Sequence, residues 1–423
     1  MVDERWSERR DHPPRHAGGV GARRVDVLIV GAGPGGSAAA IRFARLGLRV
    51  LVLDRANFPR DKPCAEYMGP VALRHFDALG VLPTLDAAGG HPLAGTALFP
   101  PSGTALIGRF AGLGAAAFRP TGLSLARRVL DATLVARARE VGAIVEEGTQ
   151  VTGLLYGSGE VTGVVVRGPD GSVRTIQAAL VIGADGLRST VARTLGRRRH
   201  GSPSRIGFVA HVSDVDGLGD VAEIHVTREG YVGLNPIGGG VANVGLVVSR
   251  ERAREAGGDP SAFFYRMVER FPRVAGRIHR ARERREVLVT GPFAASSSQV
   301  TAPGALLLGD AAEFFDPVTG DGIQTALTGA ELAVAATGDT LVRTGRVTAG
   351  GFTAYRALRR ERFLAKWVME RAIGWGMELP PLFSHAVRRL AAHGLGDLCV
   401  GVAGDILPAR SALAPSFLLR MVL

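Results

Sequence analysis

The alternation of apolar and polar positions near the start of the chain predicts a strand, a helix and a second strand in close succession. Val25–Val30 is a short apolar, β-branched run, which is typical of a buried parallel strand. A helical pattern follows over residues 37–46 and is ended by Gly47. A second apolar run, residues 48–53, ends in Asp54. This order predicts an α/β fold built on a parallel sheet.

Further along, the pattern predicts two more buried strands with a different kind of region between them. The buried strands cover residues 180–182 and 305–308, and a long helix of small residues opens at 320–323 and continues to about residue 336. The intervening region predicts an antiparallel sheet from strands at 205–214, 221–227, 230–235 and 241–248, with one or two more within 92–118. From residue 354 onward the pattern is helical, with breaks at Pro380-Pro381 and Pro408.

The turn after the first strand carries the sequence GAGPGG over residues 31–36. Gly31 can make a tight turn, Gly33 lets the backbone approach a pyrophosphate, and Gly36 lets helix and strand pack closely. The helix N-terminus can bind phosphate, and a carboxylate at Asp54 can accept both ribose hydroxyls. The pattern predicts a bound dinucleotide and leaves FAD and NAD(P) open. The residues it assigns to the nucleotide are Gly31, Gly33, Pro34, Gly35, Gly36, Ser37, Asp54 and Arg55.

Two later strand ends carry further glycine and aspartate residues. The sequence GADGLRS, residues 183–189, follows one strand, and Ser189 is placed to cap the next helix. Gly309-Asp310 follows the other strand, and TGDGI at 319–323 opens the long helix. Asp310 can hold a ribityl or ribose hydroxyl, and the helix amides can stabilise the negative charge of a reduced flavin. Taken singly, each segment also fits an ordinary tight turn.

Taken together, the three segments resemble the FAD-binding fold shared by para-hydroxybenzoate-hydroxylase-like aromatic monooxygenases, geranylgeranyl reductases and flavin-dependent halogenases. The resemblance extends from Val25 over nearly the whole chain, and the family's Asp-Gly motif falls on Asp185-Gly186. It implies non-covalent FAD, with Arg127 on the pyrophosphate or ribityl chain and the main chain of Val151 on the adenine. The residues implied at the flavin end are Gly309, Asp310, Pro317, Gly320, Gly322 and Ile323.

Three segments resemble the geranylgeranyl-reductase-like branch of this family, namely DKPCAE at 61–66, STVAR at 189–193 and DPVTGDGI at 316–323. In that branch a Lys-Pro-Cys-Gly segment lies near the flavin. The resemblance therefore makes Cys64 and Glu66 the candidate catalytic residues. The alternative for Cys64 is a small buried hydrophobe.

The chain also departs from the family patterns. Ala65 stands where the reductase branch usually has glycine, and Glu313 stands where monooxygenases usually have histidine. The halogenase motif Trp-x-Trp-x-Ile-Pro is absent, since Trp367 and Trp375 have a different spacing. Roles that the family gives to those positions are therefore not carried over.

These observations predict a Rossmann-type FAD-binding domain in three pieces, 25–91, 119–200 and 291–345. An antiparallel β-sheet substrate domain, 92–118 and 201–290, is inserted between the pieces, and a helical region, 346–423, ends the chain. Residues 1–24 mix both charge signs and lack the apolar core of a signal peptide, so they are predicted to be a disordered tail. Candidate substrate contacts are Tyr67, His211, His225, Tyr231 and Asn235, each with the alternative of a packed or surface side chain.

The glycines at residues 238–240 lie between predicted strands, so they do not form a second nucleotide loop. The sequence therefore predicts no dedicated NAD(P)H domain, and NAD(P)H as electron donor would visit the flavin transiently. Only two cysteines are present, Cys64 and Cys399, and their separation fits neither a metal site nor a redox pair. This usage indicates a reducing, cytoplasmic setting.

The formal net charge is +12, and arginine supplies nearly all of the positive charge. Basic residues cluster at 250–285 and 343–371, where interleaved acids favour an ordinary solvated surface. The alternative is a docking surface for an anionic partner, such as an acidic carrier protein, a membrane surface or a phosphorylated substrate. No aromatic-plus-basic motif points to nucleic acid. Residues 406–423 are apolar enough to cap a pocket or touch a membrane, or they form a packed C-terminal helix.

The leading hypothesis from the sequence is an FAD-dependent, single-component monooxygenase that hydroxylates an apolar or aromatic small molecule with O2 through a flavin C4a-(hydro)peroxide. The first alternative is a reductase of carbon–carbon double bonds in a prenyl or polyene chain. The second, of another class, is a non-catalytic FAD-binding sensor or interaction protein.

Overall fold

The computed structural model describes residues 24–422, so the tail predicted for residues 1–24 lies outside the described residues except for Arg24. Within this range the chain forms twelve α-helices and 21 strands. The helices are α1 Pro34–Arg45, α2 Pro70–Leu79, α3 Leu82–Ala87, α4 Arg127–Glu140, α5 Thr190–Thr194, α6 Arg250–Ala253, α7 Pro260–Val268, α8 Gly322–Thr344, α9 Ala349–Gly376, α10 Pro380–Ala392, α11 Gly396–Ala403 and α12 Pro415–Val422. The strands are β1 Val25–Val30, β2 Val50–Leu53, β3 Tyr67–Met68, β4 His91–Leu93, β5 Gly95–Phe99, β6 Leu106–Arg109, β7 Gly122–Ser124, β8 Ile144–Glu146, β9 Gln150–Gly157, β10 Glu160–Arg167, β11 Val173–Gly183, β12 Arg198–His200, β13 Arg205–Ser213, β14 Val221–Thr227, β15 Gly230–Gly238, β16 Val241–Ser249, β17 Glu283–Thr290, β18 Ala295–Ser297, β19 Thr301–Ala302, β20 Ala305–Leu307 and β21 Glu313–Phe314.

The first large sheet has a parallel core in the order β20-β11-β1-β2-β8, and it confirms the predicted Rossmann-type α/β fold. The strand predicted at 180–182 is the buried end of the eleven-residue β11. The first half of β11 pairs with the hairpin β9–β10 instead. This half carries exposed polar residues, so it lacks the apolar pattern that predicts a buried strand.

Helices α1, α4 and α8 pack with the sheet to form the largest core, which includes Ile29, Phe43 and Leu327. The start of α1 lies very close to α8. A Cβ on Gly35 would be 2.7 Å from the Leu308 Cδ1 and 3.1 Å from the Ala326 Cβ. Glycine at this position therefore brings the N-terminal ends of two helices to one place beside the carboxyl ends of the parallel strands.

The second large sheet has the order β17-β13-β16-β15-β14-β5-β6, and the four strands predicted between residues 205 and 248 form its centre. Its neighbours are antiparallel with one exception, because β14 and β5 run parallel. The four strands predicted between residues 205 and 248 pair antiparallel as expected, and β5, from the companion segment 92–118, joins them in parallel. Periodicity shows which side chains share a face but does not fix the direction of neighbouring strands.

Helices α9–α12 follow the sheets and confirm the predicted C-terminal helical segment, with α10 beginning at Pro380 as the proline break suggested. Phe383, Val387 and Leu390 of α10 pack on Val226 and Val247 of the second sheet. None of the helices described between residues 24 and 422 is long and apolar enough to cross a bilayer.

Candidate functional site

A cavity of about 230 Å³ lies where the carboxyl ends of the parallel strands face the second sheet. Its nucleotide side is formed by Gly33, Pro34, Gly35, Gly309 and Asp310, and its far wall by residues of β13–β16. The fold thus brings residues of all three glycine-containing segments, 31–36, 183–189 and 309–323, to one cavity. It also places the predicted flavin-end residues Pro317, Gly320, Gly322 and Ile323 in the same lining.

The glycine loop has the geometry its spacing predicts. A Cβ on Gly36 would lie 1.9 Å from the Gly31 carbonyl oxygen, and a Cβ on Gly31, whose φ is +100°, would lie 2.5 Å from the Ala184 carbonyl oxygen. Gly33 instead borders open space, with the Arg127 Nη2 3.9 Å from its ideal Cβ. Among the described residues, no side chain caps the N-terminus of α1. Its free amides and Arg127 therefore face each other across a gap suited to a phosphate group.

Arg127 is held rigidly at the start of α4. Its Nε and Nη2 donate to the two carboxylate oxygens of Asp131, at 2.9 and 2.7 Å, and Asp131 also contacts the Arg60 Nη1 at 2.9 Å. The Cys64 sulfur lies beside the same guanidinium. Burial acts to lower the pKa of Arg127, but the charge of Asp131 outweighs it and raises the pKa. Arg127 is therefore a fixed, permanently charged donor.

Positive charge exceeds negative charge around this end of the cavity. Lys62 lines the cavity, and burial together with the nearby charge of Arg127 lowers its pKa. Three cationic side chains, Arg60, Lys62 and Arg127, thus surround one buried carboxylate, Asp131, with Asp310 opposite. An anionic ligand here would relieve the repulsion among the cations.

At the other end of the cavity, the N-terminus of α8 is open. Asp321 occupies the cap position without accepting a hydrogen bond from the first turn, and Gly320 has a φ of +70°. A Cβ on Gly320 would lie 3.0 Å from the Tyr67 ring, so glycine allows the loop to pass close to this tyrosine. The amides of Gly322 and Ile323 border the cavity. They form the positive end of a helix where negative charge on a ring system would be stabilised.

Cys64 and Tyr67 line the cavity, but Glu66 and His211 do not. Glu66 is fully buried with a φ of 56°; its Oε1 accepts from the Arg127 amide at 2.8 Å, and its Oε2 shares a 2.7 Å hydrogen bond with the His211 Nε2. The expectation that these two side chains face the flavin or substrate is therefore corrected. The turn at Glu66 points the pair away from the cavity, where they support the Arg127 backbone.

The remaining predicted contacts divide in the same way. Tyr231 and Asn235 line the cavity, whereas His225 lies outside the lining, stacks on Phe99 and shares a 2.6 Å hydrogen bond with Glu223. The Tyr231 hydroxyl donates to Asp316 at 2.6 Å, and the Asn235 Nδ2 donates to the Ser124 Oγ at 2.6 Å. Both polar groups are thus engaged with the protein.

The predicted adenosine contacts lie beyond the cavity. Asp54 Oδ2 accepts from the Ala32 amide at 2.8 Å and Oδ1 from the Ala56 amide at 2.9 Å, so the carboxylate braces the glycine loop. Arg55 is exposed, and Val151 is buried in β9. Their assignment to the nucleotide stays a prediction.

Asp185 has a structural role. Its carboxylate accepts from the Ser189 hydroxyl at 2.6 Å and from the Thr190 amide at 2.6 Å, while Ser189 caps α5 as predicted. These bonds hold the turn whose other residues, Ala184, Gly186 and Leu187, line the cavity.

Several cavity residues were not assigned from the sequence. Lys62 and Asn243 line the cavity, and Arg60 and Asp131 fix Arg127. The spacing of Arg127 and Asp131, four residues apart at a helix start, was a usable signal for that ion pair. Asn243 gives no such signal, because its Nδ2 bond to the Cys64 carbonyl oxygen, at 2.6 Å, joins segments 179 residues apart.

A second cavity, of about 130 Å³, lies under α9 and meets the first one at Asp310, Phe314 and Gly322. Its lining is charged. Three carboxylates have buried basic partners, in the pairs Glu313–Arg359, Asp316–Arg205 and Asp321–Lys366. Burial raises the pKa of a fourth, Glu370, to about 8, with a further contribution from the charge of Asp321.

Residues 24–362 match the sequence model of a family described as an FAD binding domain. The chain belongs to this FAD-binding family. The site fits the cofactor, because the open amides of α1, the cleft at Gly33 and the excess cations suit a pyrophosphate, and the α8 amides suit a flavin ring.

Two curated relatives of this FAD-binding protein are named as reductases. One is menaquinone reductase of Mycolicibacterium smegmatis, 30% identical over 84% of this chain and 85% of that protein. The other is digeranylgeranylglycerophospholipid reductase 2 of Methanothermobacter thermautotrophicus, 31% identical over 88% of this chain and 89% of that protein. The protein is an FAD-dependent oxidoreductase, so the non-catalytic hypothesis is set aside.

Solved structures share the fold. The myxobacterial chondrochloren halogenase CndH has a TM-score of 0.76 at 23% identity, covering 84% of this chain and 83% of its own. PqsL of Pseudomonas aeruginosa, in complex with 2-aminobenzoylacetate, has a TM-score of 0.69 at 23% identity, covering 85% and 98%. At these identities the likeness concerns the fold alone.

Proposed function

We propose that this FAD oxidoreductase saturates carbon–carbon double bonds in the isoprenoid chain of a lipid or quinone. The observation that carries the proposal is the wall of the first cavity opposite the nucleotide loop. It presents Ile224, Leu234, Val247, Phe293 and Val318 toward the position of the flavin. An apolar wall of this kind suits a hydrocarbon chain.

The polar groups of the wall support the same substrate class. Tyr231, Asn235 and Asn243 each donate to a protein acceptor, at 2.6 Å in every case. These donor groups are therefore already engaged and are not free to bind hydroxyl or carboxylate oxygens of a substrate. The two curated relatives are named for menaquinone and for digeranylgeranylglycerophospholipid, which both carry isoprenoid chains.

Reduction of an alkene requires a hydride on one carbon and a proton on the other. When bound, FAD supplies the electron pair as hydride, and we propose NAD(P)H as the transient donor that reduces it. Arg127 and the α1 amides would hold the pyrophosphate, and the α8 amides the pyrimidine edge. Tyr67 lines the cavity with its Oη 3.2 Å from the Thr96 Oγ1, and burial raises its pKa to about 12. Its hydroxyl therefore keeps its proton at neutral pH and is placed to deliver it.

The test is anaerobic mixing of dithionite-reduced holoenzyme with menaquinol, whose head group is already reduced, or with digeranylgeranylglycerophospholipid. We expect flavin reoxidation and a product heavier by two hydrogen atoms for each reduced bond. Reoxidation only with O2, with a product heavier by one oxygen atom, would instead establish the monooxygenase hypothesis, which stays the alternative. Reduced enzyme that stays reduced with both lipids overturns the proposed substrate class.

A further inference from the structure

Large apolar side chains are concentrated on one outer surface of the C-terminal helices. In the part of the chain from residue 24 to residue 422, thirteen large hydrophobic side chains are exposed, and five of them fall within residues 364–382. These five form what we call the α9–α10 stripe: Leu364, Val368, Trp375, Leu379 and Leu382. Single exposed apolar residues are ordinary, but a cluster marks an interaction surface.

The stripe is continuous along the helices. Leu364, Val368 and Trp375 are spaced by four and seven residues, which places them on one face of α9. Leu379 and Leu382 continue it across the turn into α10, and they are the most exposed of the five, at 56% and 60%. Tryptophan beside leucine on a helix surface is typical of segments that lie in a membrane interface.

Positive charge flanks the stripe. Arg360 lies one turn before Leu364, and Arg388 lies six residues after Leu382 in α10. Both are exposed, and neither forms an ion pair with a residue in the described range. Arg371 is exposed within the stripe. Two acidic side chains in segment 360–388 are exposed, Glu361 and Glu378. Glu378 is paired with Arg205, and Glu361 has no ion-pair partner among the described residues. An anionic surface complements this arrangement.

The opposite side of the same segment packs on residues that line the first cavity. Ile373, Met377 and Phe383 belong to the cluster that contains Tyr231, Phe293 and Val318, and the latter three line the cavity. The α9–α10 stripe therefore lies on the outer surface of helices whose inner side packs behind the cavity wall.

We propose that the α9–α10 stripe docks this protein on the surface of a bilayer that contains anionic lipid. The apolar side chains enter the interface and the arginines contact the head groups. The inference does not depend on which reaction the flavin carries out, because it rests on the outer surface alone.

The experiment is co-sedimentation of the full-length holoenzyme with vesicles of phosphatidylcholine, with or without phosphatidylglycerol. A stripe variant carries Trp375→Ser, Leu379→Ser and Leu382→Ser. The matched control carries Tyr156→Ser and Val173→Ser, which replace side chains of equal exposure, 55% and 63%, on β9 and β11. FAD content and thermal unfolding verify that each variant is folded, and half-exposed positions tolerate such changes.

We expect the wild-type protein and the control to bind phosphatidylglycerol vesicles, and the stripe variant to bind at least tenfold more weakly. A variant with Arg360→Gln and Arg388→Gln should bind more weakly than the wild type chiefly at low salt, because high salt screens the contribution of both arginines. Wild-type protein that stays in solution with both vesicles overturns the proposal. So does a stripe variant that binds like the control, since another segment then makes the contact. Sedimentation velocity showing a dimer that only the stripe variant dissociates, without vesicle binding, would assign the surface to a second copy instead.

Discussion

The two cavities that meet at Asp310 and Gly322 differ in the balance of positive and negative side chains around them. Around the first, Arg60, Lys62 and Arg127 outnumber the carboxylates in contact with them. Around the second, three carboxylates each have a cationic partner and Glu370 has its pKa raised to about 8. The first therefore suits an anionic ligand, whereas in the second the carboxylates Glu313, Asp316 and Asp321 already have cationic partners within the protein.

This difference indicates what each part of the loop at residues 310–322 does. On the side of the first cavity, backbone amides of α8 and glycine residues leave room for a cofactor. On the side of the second, the Asp316 and Asp321 side chains are tied to Arg205 and Lys366. The charged cluster thus fixes the loop from behind, and changes in it should affect stability more than FAD affinity.

The largest loss of FAD binding from a single substitution is expected at Gly36. The Cβ of Gly36→Ala would lie 1.9 Å from the Gly31 carbonyl oxygen, so the glycine loop must move and FAD binding should be lost. The control is Gly258→Ala, at a site where a Cβ meets nothing within 4 Å. The measurements are flavin absorbance after reconstitution and circular dichroism of the apoprotein. Full FAD occupancy in folded Gly36→Ala protein would contradict the assignment of the loop.

Two matched buried arginines test the comparison directly. Arg127→Ala should raise the Kd for FAD at least 100-fold, which is about 2.7 kcal/mol. Arg359 pairs with Glu313 as Arg127 pairs with Asp131. Arg127→Ala and Arg359→Ala should therefore lower the free energy of unfolding by similar amounts, about 3–5 kcal/mol, because each leaves a buried charge without its partner. The effect of Arg359→Ala on FAD affinity should be less than tenfold. Equal losses of FAD affinity in the two variants would refute the division of roles between the cavities.

The parts of the site that the sequence predicted are those encoded by the backbone. The nucleotide loops are predicted by the spacing of Gly31, Gly33 and Gly36 and by Gly309-Asp310 at a strand end. Glycine is informative there because only a residue without a Cβ allows such close backbone approaches. Side-chain direction was not predictable in the same way. His211 and Tyr231 both lie on strands of the second sheet, yet only Tyr231 lines the cavity.

The charged cavity under α9 was missed for a different reason. Lys366 and Glu370 come from a helix that follows Asp321 by some 45 residues in sequence, and the packing of α9 alone brings them together. The left-handed turn at Glu66, which directs its carboxylate to Arg127 and His211, likewise depends on tertiary contacts. Local sequence preferences therefore predict neither of these contacts.

A smaller effect is expected at Tyr67 in the first cavity. Tyr67→Phe removes the hydroxyl bonded to Thr96 without altering the cations around the pyrophosphate site. FAD affinity should be unchanged, while turnover of an isoprenoid substrate should fall about tenfold, since water can replace part of a general acid's contribution. Tyr265→Phe, whose hydroxyl contacts Glu283 away from both cavities, is the control. Steady-state kinetics with unaltered turnover in Tyr67→Phe would exclude the hydroxyl as proton donor.

The smallest effect is a pH-dependent stability difference at Glu370. Burial and the charge of Asp321 raise its pKa from 4.5 to about 8, against the opposing charge of Lys366. Between these values the unfolded chain has lost the proton that the folded protein retains, so stability falls as pH rises through this window and levels off above it. Glu370→Gln lacks this slope and should unfold above the wild-type protein at the upper end of the window, by about 2–4 °C for each kcal/mol that the wild type has lost there, with no difference at the lower end. Glu361→Gln, exposed on the same helix, should follow the wild-type curve. The measurement is the unfolding temperature of both variants at several pH values across the window. Parallel plots of unfolding temperature against pH for wild type and Glu370→Gln would mean that Glu370 is ionised throughout the window.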